Sequence, residues 1–125
     1  MLKVLLIGCG KIAGGFDAQR PPGSLPLTHA GAFSAHKGFE LAACVEPDDA
    51  KREAFMARWD VRRGCNDMSD TAISGLHFDI VSICSPTPTH HADVLAALAL
   101  QPRLVFCEKP LCPSVAEAAD LVRRC

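Results

Sequence analysis

The chain has 125 residues, 49% of them hydrophobic and 22% charged, with a net charge of −1 at pH 7. That length suits one domain with a packed core, and the balanced charge excludes the basic footprint of a nucleic-acid binder or of a reader of anionic membranes. No apolar run approaches the roughly 18 residues of a spanning helix, and Val4–Ile7 is too short for a signal-peptide core, so a soluble, cytoplasmic protein is expected.

Leu2–Ile7 reads as a first strand, apolar on both faces as a sheet covered on both sides requires. It breaks directly into G-C-G-K-I-A, with Gly8, Gly10 and Ala13 in the three small-residue positions of a dinucleotide-binding turn. Gly8 permits a tight strand-to-helix turn, Gly10 lacks the Cβ that would hold the backbone off a pyrophosphate, and Ala13 lets a helix lie close on the sheet. The helix start then offers unpaired N–H groups and a positive dipole end to phosphates. Between Phe16 and Thr28, however, Pro21, Pro22, Gly23 and Pro26 forbid continuous helix. The first helix is therefore cut short or displaced to about His29–His36, with Ala30, Phe33 and Ala35 toward the sheet. The Pro/Gly-rich insertion at 16–28 reads either as a loop at the mouth of a cofactor or substrate site or as surface decoration.

Phe39–Val45 is the second strand, closed by Glu46. A carboxylate at a second-strand end can accept both adenosine-ribose hydroxyls and repels a 2′-phosphate, which favours NAD over NADP. Lys51 and Arg52 in the next helix temper that preference, and the insertion stretches the spacing from the glycines well past the usual value of about 20 residues. Asp48–Trp59 is helical, with Asp48 or Asp49 as N-cap and Ala50, Ala54, Phe55 and Met56 toward one side. Val61–Cys65 reads as a short strand and Met68–Leu76 as a short helix.

Asp79–Cys84 is a further strand, followed by S-P-T-P-T-H-H. Thr87 or Thr89 is placed to cap the helix Thr89–Leu100, whose Val94, Leu95, Leu98 and Ala99 form one apolar face. His90 is expected to line a site at this strand exit. His91 is expected on the surface, because successive helical residues diverge by about 100°. Arg103–Cys107 is the fifth strand and ends in Glu108-Lys109-Pro110, where proline holds Lys109 extended and aims its side chain. Ser114–Glu117 is a capping box opening a last helix through Arg124.

Strictly alternating strands and helices predict an α/β fold: a doubly wound parallel sheet in three layers, strand order 3-2-1-4-5, with the ligand crevice where the first and fourth strands diverge. The seven cysteines (Cys9, Cys44, Cys65, Cys84, Cys107, Cys112 and Cys125) form no C-x-x-C pair and are odd in number, so they read as reduced core or strand-end thiols, with no metal site.

Together, G-C-G-K-I-A at the first turn, S-P-T-P-T-H after the fourth strand and C-E-K-P after the fifth resemble the glucose–fructose oxidoreductase / inositol dehydrogenase (Gfo/Idh/MocA) family. The resemblance spans the chain but corresponds only to the amino-terminal Rossmann domain of such enzymes, without their second α/β domain. It implies that Gly8, Cys9, Gly10, Lys11 and Ile12 line the dinucleotide phosphates and that Glu46 meets the adenosine ribose. Ser85, Pro86 and Thr87 would follow the cofactor toward the nicotinamide, with Thr87 where the family usually has asparagine. Glu108 would approach the nicotinamide ribose, with Pro110 beside it. Lys109 would act as the catalytic contact to the reacting oxygen of a sugar, cyclitol or related hydroxyl or carbonyl substrate. The family's general base belongs to the second domain. Residues 1–125 are thus expected to be a dinucleotide-binding domain that binds NAD, with NADP second, and that does not turn over alone. Two alternatives stand beside this: a methyltransferase, which leaves Glu108-Lys109-Pro110 without a purpose, and a stand-alone dinucleotide-binding or redox-sensing module. Substrate identity and oligomeric state stay open.

Overall fold

In the computed structural model, which describes Met1 through Cys125, five strands form one sheet. They are β1 (Leu2–Ile7), β2 (Phe39–Val45), β3 (Gly64–Cys65), β4 (Ile80–Ile83) and β5 (Leu104–Cys107). All pairings are parallel and the order is β3-β2-β1-β4-β5, as the alternation of elements requires. Four helices cover it: α1 (His29–Ala35), α2 (Asp49–Trp59), α3 (His90–Ala99) and α4 (Val115–Arg124). Alternate side chains of β1 divide between the two faces. Val4 and Leu6 pack with Ala30 and Phe55 on one face, and Leu5 and Ile7 pack with Val94 and Leu121 on the other. Val4, Leu5 and Leu6 are wholly buried, so truncating either leucine to alanine costs about 2–5 kcal/mol.

Local chemistry sets the helix ends. Asp48, and not Asp49, caps α2 by accepting from Lys51 N at 3.0 Å. Ser114 caps α4 by accepting from Glu117 N at 3.2 Å, while its hydroxyl donates to the Glu117 carboxylate, a variant of the expected capping box. The inward stripe of α2 is Phe55, Met56 and Trp59 with the Arg52 stem; Ala50 and Ala54 are exposed.

Three expectations fail for physical reasons. Met68–Leu76 is a run of turns, not a helix. Asp67 accepts from Ser69 N and Asp70 from Ala72 N, both at 2.8 Å, and these side-chain bonds offer the backbone an alternative to helical pairing. The Val61–Cys65 strand shrinks to Gly64–Cys65, the two residues paired with Cys44 and Val45. Neither Thr87 nor Thr89 caps α3 by its side chain: a 3₁₀ turn over Thr87–Thr89 precedes that helix, and the Thr89 hydroxyl donates to Pro86 O and to Asp93. The first helix is displaced to His29–Ala35, with Ala30 buried, Phe33 half-buried and Ala35 exposed.

Candidate nucleotide-binding site

The carboxyl ends of β1, β2 and β4 open onto a cleft of about 700 Å³, lined among others by Gly8, Gly10, Glu46, Lys51, Ser85 and Pro86. Its floor is the glycine-rich turn. Gly8 has φ +89°, and a Cβ there would lie 2.6 Å from Ser85 N, so only glycine lets β1 and the β4 exit approach this closely. A Cβ on Gly10 would instead meet nothing within 4 Å, which leaves the space above that backbone open. The N–H groups of Gly10, Lys11 and Ile12 donate to no protein acceptor. Three free amides beside an open cradle are the donor set a diphosphate needs.

No α-helix follows this turn directly: the first helix is displaced, as expected, and the dipole end expected at the turn is displaced with it. Residues 11–14 are turns and Gly15–Asp17 is a single 3₁₀ turn. The amides are present, but the macrodipole of a multi-turn helix is not, because the dipole accumulates only over aligned peptides. The helix resumes across the insertion: His29 N donates to Ile12 O at 3.2 Å and Ala30 N to Ala13 O at 2.8 Å, so α1 stacks end-on against the turn. Residues 14–28 loop out between them. Their base is knotted by the buried Asp17 carboxylate, which accepts from Leu27 N, from Thr28 N and, at 2.5 Å, from the Thr28 hydroxyl. The Thr28 hydroxyl holds this carboxyl below its ordinary value, aided by the Leu27 amide and Arg20. Thr28 in turn caps α1 by accepting from Gly31 N at 3.1 Å.

Glu46 reaches the turn despite the long sequence separation. Its Oε2 accepts from Cys9 N at 2.9 Å and its Oε1 from Asp48 N at 3.0 Å, which locks the β2 exit to the glycine turn. Of the two nearby cations, Arg52 is committed to Glu46 O, Asn66 and Asp49, whereas Lys51 is exposed at the cleft. Residues 66–69 and Asp93 also line the cleft and were absent from the sequence prediction. Asp93 accepts from the Ser85 and Thr89 hydroxyls and so pins the Ser85-Pro86-Thr87 exit.

His90 does not line the cleft. Its side chain is buried, with Nε2 2.7 Å from Ser85 O and Nδ1 2.9 Å from Pro110 O. Both ring nitrogens face backbone carbonyls, so the side chain is a strut between the β4 and β5 exits. His91, expected on the surface, is half-buried and pairs with Asp120 of α4 at 2.8 Å.

At the β5 exit Lys109 is exposed and Pro110 follows through a cis peptide. Glu108, Lys109 and Pro110 stand at the end of the strand beside β4, outside the lining of the cleft itself. Glu108 accepts from His29 Nε2 at 2.8 Å, and this imidazole holds the Glu108 carboxyl below its ordinary value, with the Lys109 N–H assisting. His29 and its second partner Ser82 escaped the sequence reading. A serine inside the apolar run I-V-S-I-C was the available signal, since a polar side chain in a buried strand must find a partner.

Cys9, Cys44 and Cys84 are buried together beneath the turn. Hydrogen bonding to Cys44 and burial push the Cys9 thiol up, and burial pushes Cys84 up to about 12. Enclosed thiols lack the solvent access of reactive cysteines, which disfavours redox sensing at this site.

Residues 2–125 match the Gfo/Idh/MocA family model, described as the oxidoreductase family, NAD-binding Rossmann fold. The inositol 2-dehydrogenase of Rhizobium meliloti is 33% identical over 90 residues, 71% of this chain and 26% of that protein. The inositol 2-dehydrogenase of Mycolicibacterium smegmatis is 44% identical over 63 residues, 49% of this chain and 18% of that protein. An Agrobacterium radiobacter oxidoreductase solved with NAD+, L-tartaric acid and magnesium superposes with a TM-score of 0.79 at 28% identity, covering 99% of this chain and 32% of that one. The scyllo-inositol dehydrogenase of Lactobacillus casei shares the fold, with a TM-score of 0.77 at 20% identity over 98% of this chain and 32% of its own. The chain thus spans a third or less of the length of these relatives. No helix is long and apolar enough to cross a membrane. The turn with its free amides, the acid at the β2 end, the parallel sheet and the family match agree: the chain belongs to the Gfo/Idh/MocA oxidoreductases and is their NAD-binding Rossmann domain.

Proposed function

We propose that this domain binds NAD in preference to NADP and presents Lys109 to the reacting oxygen of a polyol, cyclitol, sugar or related hydroxyl or carbonyl substrate. The observation that carries the reading is the open cradle over Gly10, flanked by the free amides of Gly10, Lys11 and Ile12. Those amides, with the exposed Lys11 ammonium, would receive the diphosphate, and Glu46 would accept from the adenosine ribose. Glu46 already takes one backbone N–H on each oxygen, yet each carboxylate oxygen has a second lone pair to offer. When bound, the nicotinamide supplies the hydride acceptor or donor. Lys109, exposed at the β5 exit, would stabilise charge developing on the substrate oxygen. The relatives' names, inositol 2-dehydrogenase in both cases, support a hydroxylated substrate class. The reducing cytoplasm suits seven cysteines in reduced form. Turnover also needs a proton acceptor held against the substrate.

The decisive test fills the cradle. Gly10→Val should leave the urea midpoint near native while weakening NADH binding by about tenfold or more, roughly 1.4 kcal/mol. Unchanged NADH affinity in that variant would place the phosphates elsewhere. Glu46→Ala should lose about tenfold in NADH affinity and erase the preference over NADPH; a native chain that prefers NADPH would refute the assignment of Glu46.

A further inference from the structure

The Glu108 carboxylate adjoins the residue assigned to chemistry, yet it is turned into the protein. Oε1 is 2.8 Å from His29 Nε2, and Oε2 accepts from Lys109 N at 3.1 Å. On the opposite side of the imidazole, Nδ1 lies 2.7 Å from Ser82 Oγ. Hydroxyl, imidazole and carboxylate stand in a row, as in a nucleophile relay. Ser82, however, is 0% exposed and His29 only 9%, so no substrate reaches the hydroxyl and nucleophilic chemistry is ruled out here. Phe106 covers the ring from the β5 side, with centroids 4.9 Å apart. A ring bonded at both nitrogens and covered on one face is held in a single orientation, and it passes that restraint to Glu108.

What holds His29 is the insertion. His29 is the first residue of α1, its N–H is bonded to Ile12 O, and the residue before it is locked by the Asp17 carboxylate through both amide and hydroxyl. The excursion through residues 14–28 therefore ends in a rigid knot one residue from the imidazole.

We infer that His29 is a positioning residue that holds the Glu108–Lys109 turn at the nicotinamide end of the cleft, and that the insertion at 16–28 is the splint that fixes His29. This rests on the reading above, in which the Lys109 turn adjoins the nicotinamide. His29 itself touches neither cofactor nor substrate.

Two amide substitutions separate the halves of the contact. A glutamine side chain reaches the Nε2 position and can still donate to Glu108; an asparagine reaches only the Nδ1 position and keeps Ser82 alone. The 125-residue chain is titrated with NADH and, as a probe of the adenosine diphosphate end, with ADP. His29→Asn should weaken NADH by about tenfold or more, while His29→Gln stays within about threefold of native. ADP affinity should change by no more than about twofold in either, because that end lies apart from the contact. In a Glu108→Ala background the gap between glutamine and asparagine should vanish. Equal loss in both variants, a parallel loss of ADP, or a gap that survives without Glu108 would each overturn the inference while native NADH binding upholds the site. A native chain that binds neither ligand would sink the reading of the site itself. Should both His29 variants unfold, the splint decides: Asp17→Ala, at a residue outside the cleft lining, should weaken NADH by about threefold or more with ADP unchanged, and native NADH affinity in that variant would overturn the positioning role.

Discussion

The glycine turn at the β1 exit and the Glu108–Lys109 turn at the β5 exit stand at the same edge of the sheet and are built by opposite means. At the first, backbone makes the surface: free amides, a glycine forced by a 2.6 Å approach and a second glycine facing open space. At the second, side chains make it. Glu108 is steered by His29, Lys109 stands exposed, and Leu104 and Phe106 remain 53% and 50% exposed on the strand that leads there. The turn end is a finished receptor whose shape survives most side-chain changes but no added Cβ at its tightest point. The lysine end is an oriented but open surface, tolerant of changes in packing and sensitive to a single hydrogen bond.

The largest effect that would break this contrast lies at Gly8. Gly8→Val places a branched side chain at positive φ against the Ser85 backbone and should cost about 3 kcal/mol or more in urea unfolding. A smaller cost would mean that the β4 exit can move, and that the turn is no rigid receptor. Next comes the splint. Asp17→Ala strands the Leu27 and Thr28 amides and the Thr28 hydroxyl, and should open the loop to thermolysin before Leu25 with native cleavage elsewhere unchanged. Uniformly faster cleavage would show that the loop does not open as a separate unit.

Acid sharpens the comparison further. Asp17, Asp79, Asp120 and Glu108 all have carboxyls lowered in the fold, by the Thr28 hydroxyl, the Lys3 amide, His91 and His29 respectively. A carboxyl lowered on folding adds stability that is complete above its unfolded pKa and is lost as pH falls through the folded one. The urea midpoint should therefore be flat above about pH 5 and decline below about pH 4. Asp17→Asn should shallow that decline; an identical slope would remove Asp17 from the account. The smallest effect belongs to the exposed end: Lys109→Ala should shift stability by no more than about 0.5 kcal/mol, as a solvated side chain without a packing role. A larger loss would mean that the ammonium is structural and not free for a substrate.

Most of the scaffold was legible because it follows from period and punctuation. Apolar runs bounded by glycine, proline and capping acids marked every long strand and helix to within about one residue, and alternation alone dictated a parallel sheet in the order found. The turn was legible through Gly8, whose positive φ and close approach to the β4 exit only glycine meets; the ligand roles of Gly10 and Glu46 belong to the proposed function. The region Met68–Leu76 was not, since Asp67 and Asp70 bond their own backbone in place of helical partners, a competition that composition leaves undecided.

His90 was misplaced by the sequence and His29 overlooked for one reason. A histidine's role depends on what faces its two nitrogens, and those partners come from strands and loops far apart in the chain: Pro110 and Ser85 for His90, Glu108 and Ser82 for His29. The sequence by itself determined the class of fold, the cofactor turn and the acid that closes it, because these are local requirements of backbone geometry and charge. Only the tertiary structure decided that α1 abuts the glycine turn across the insertion and that the His29 imidazole bonds Glu108 beside Lys109, because both depend on distances between segments that no spacing along the chain encodes.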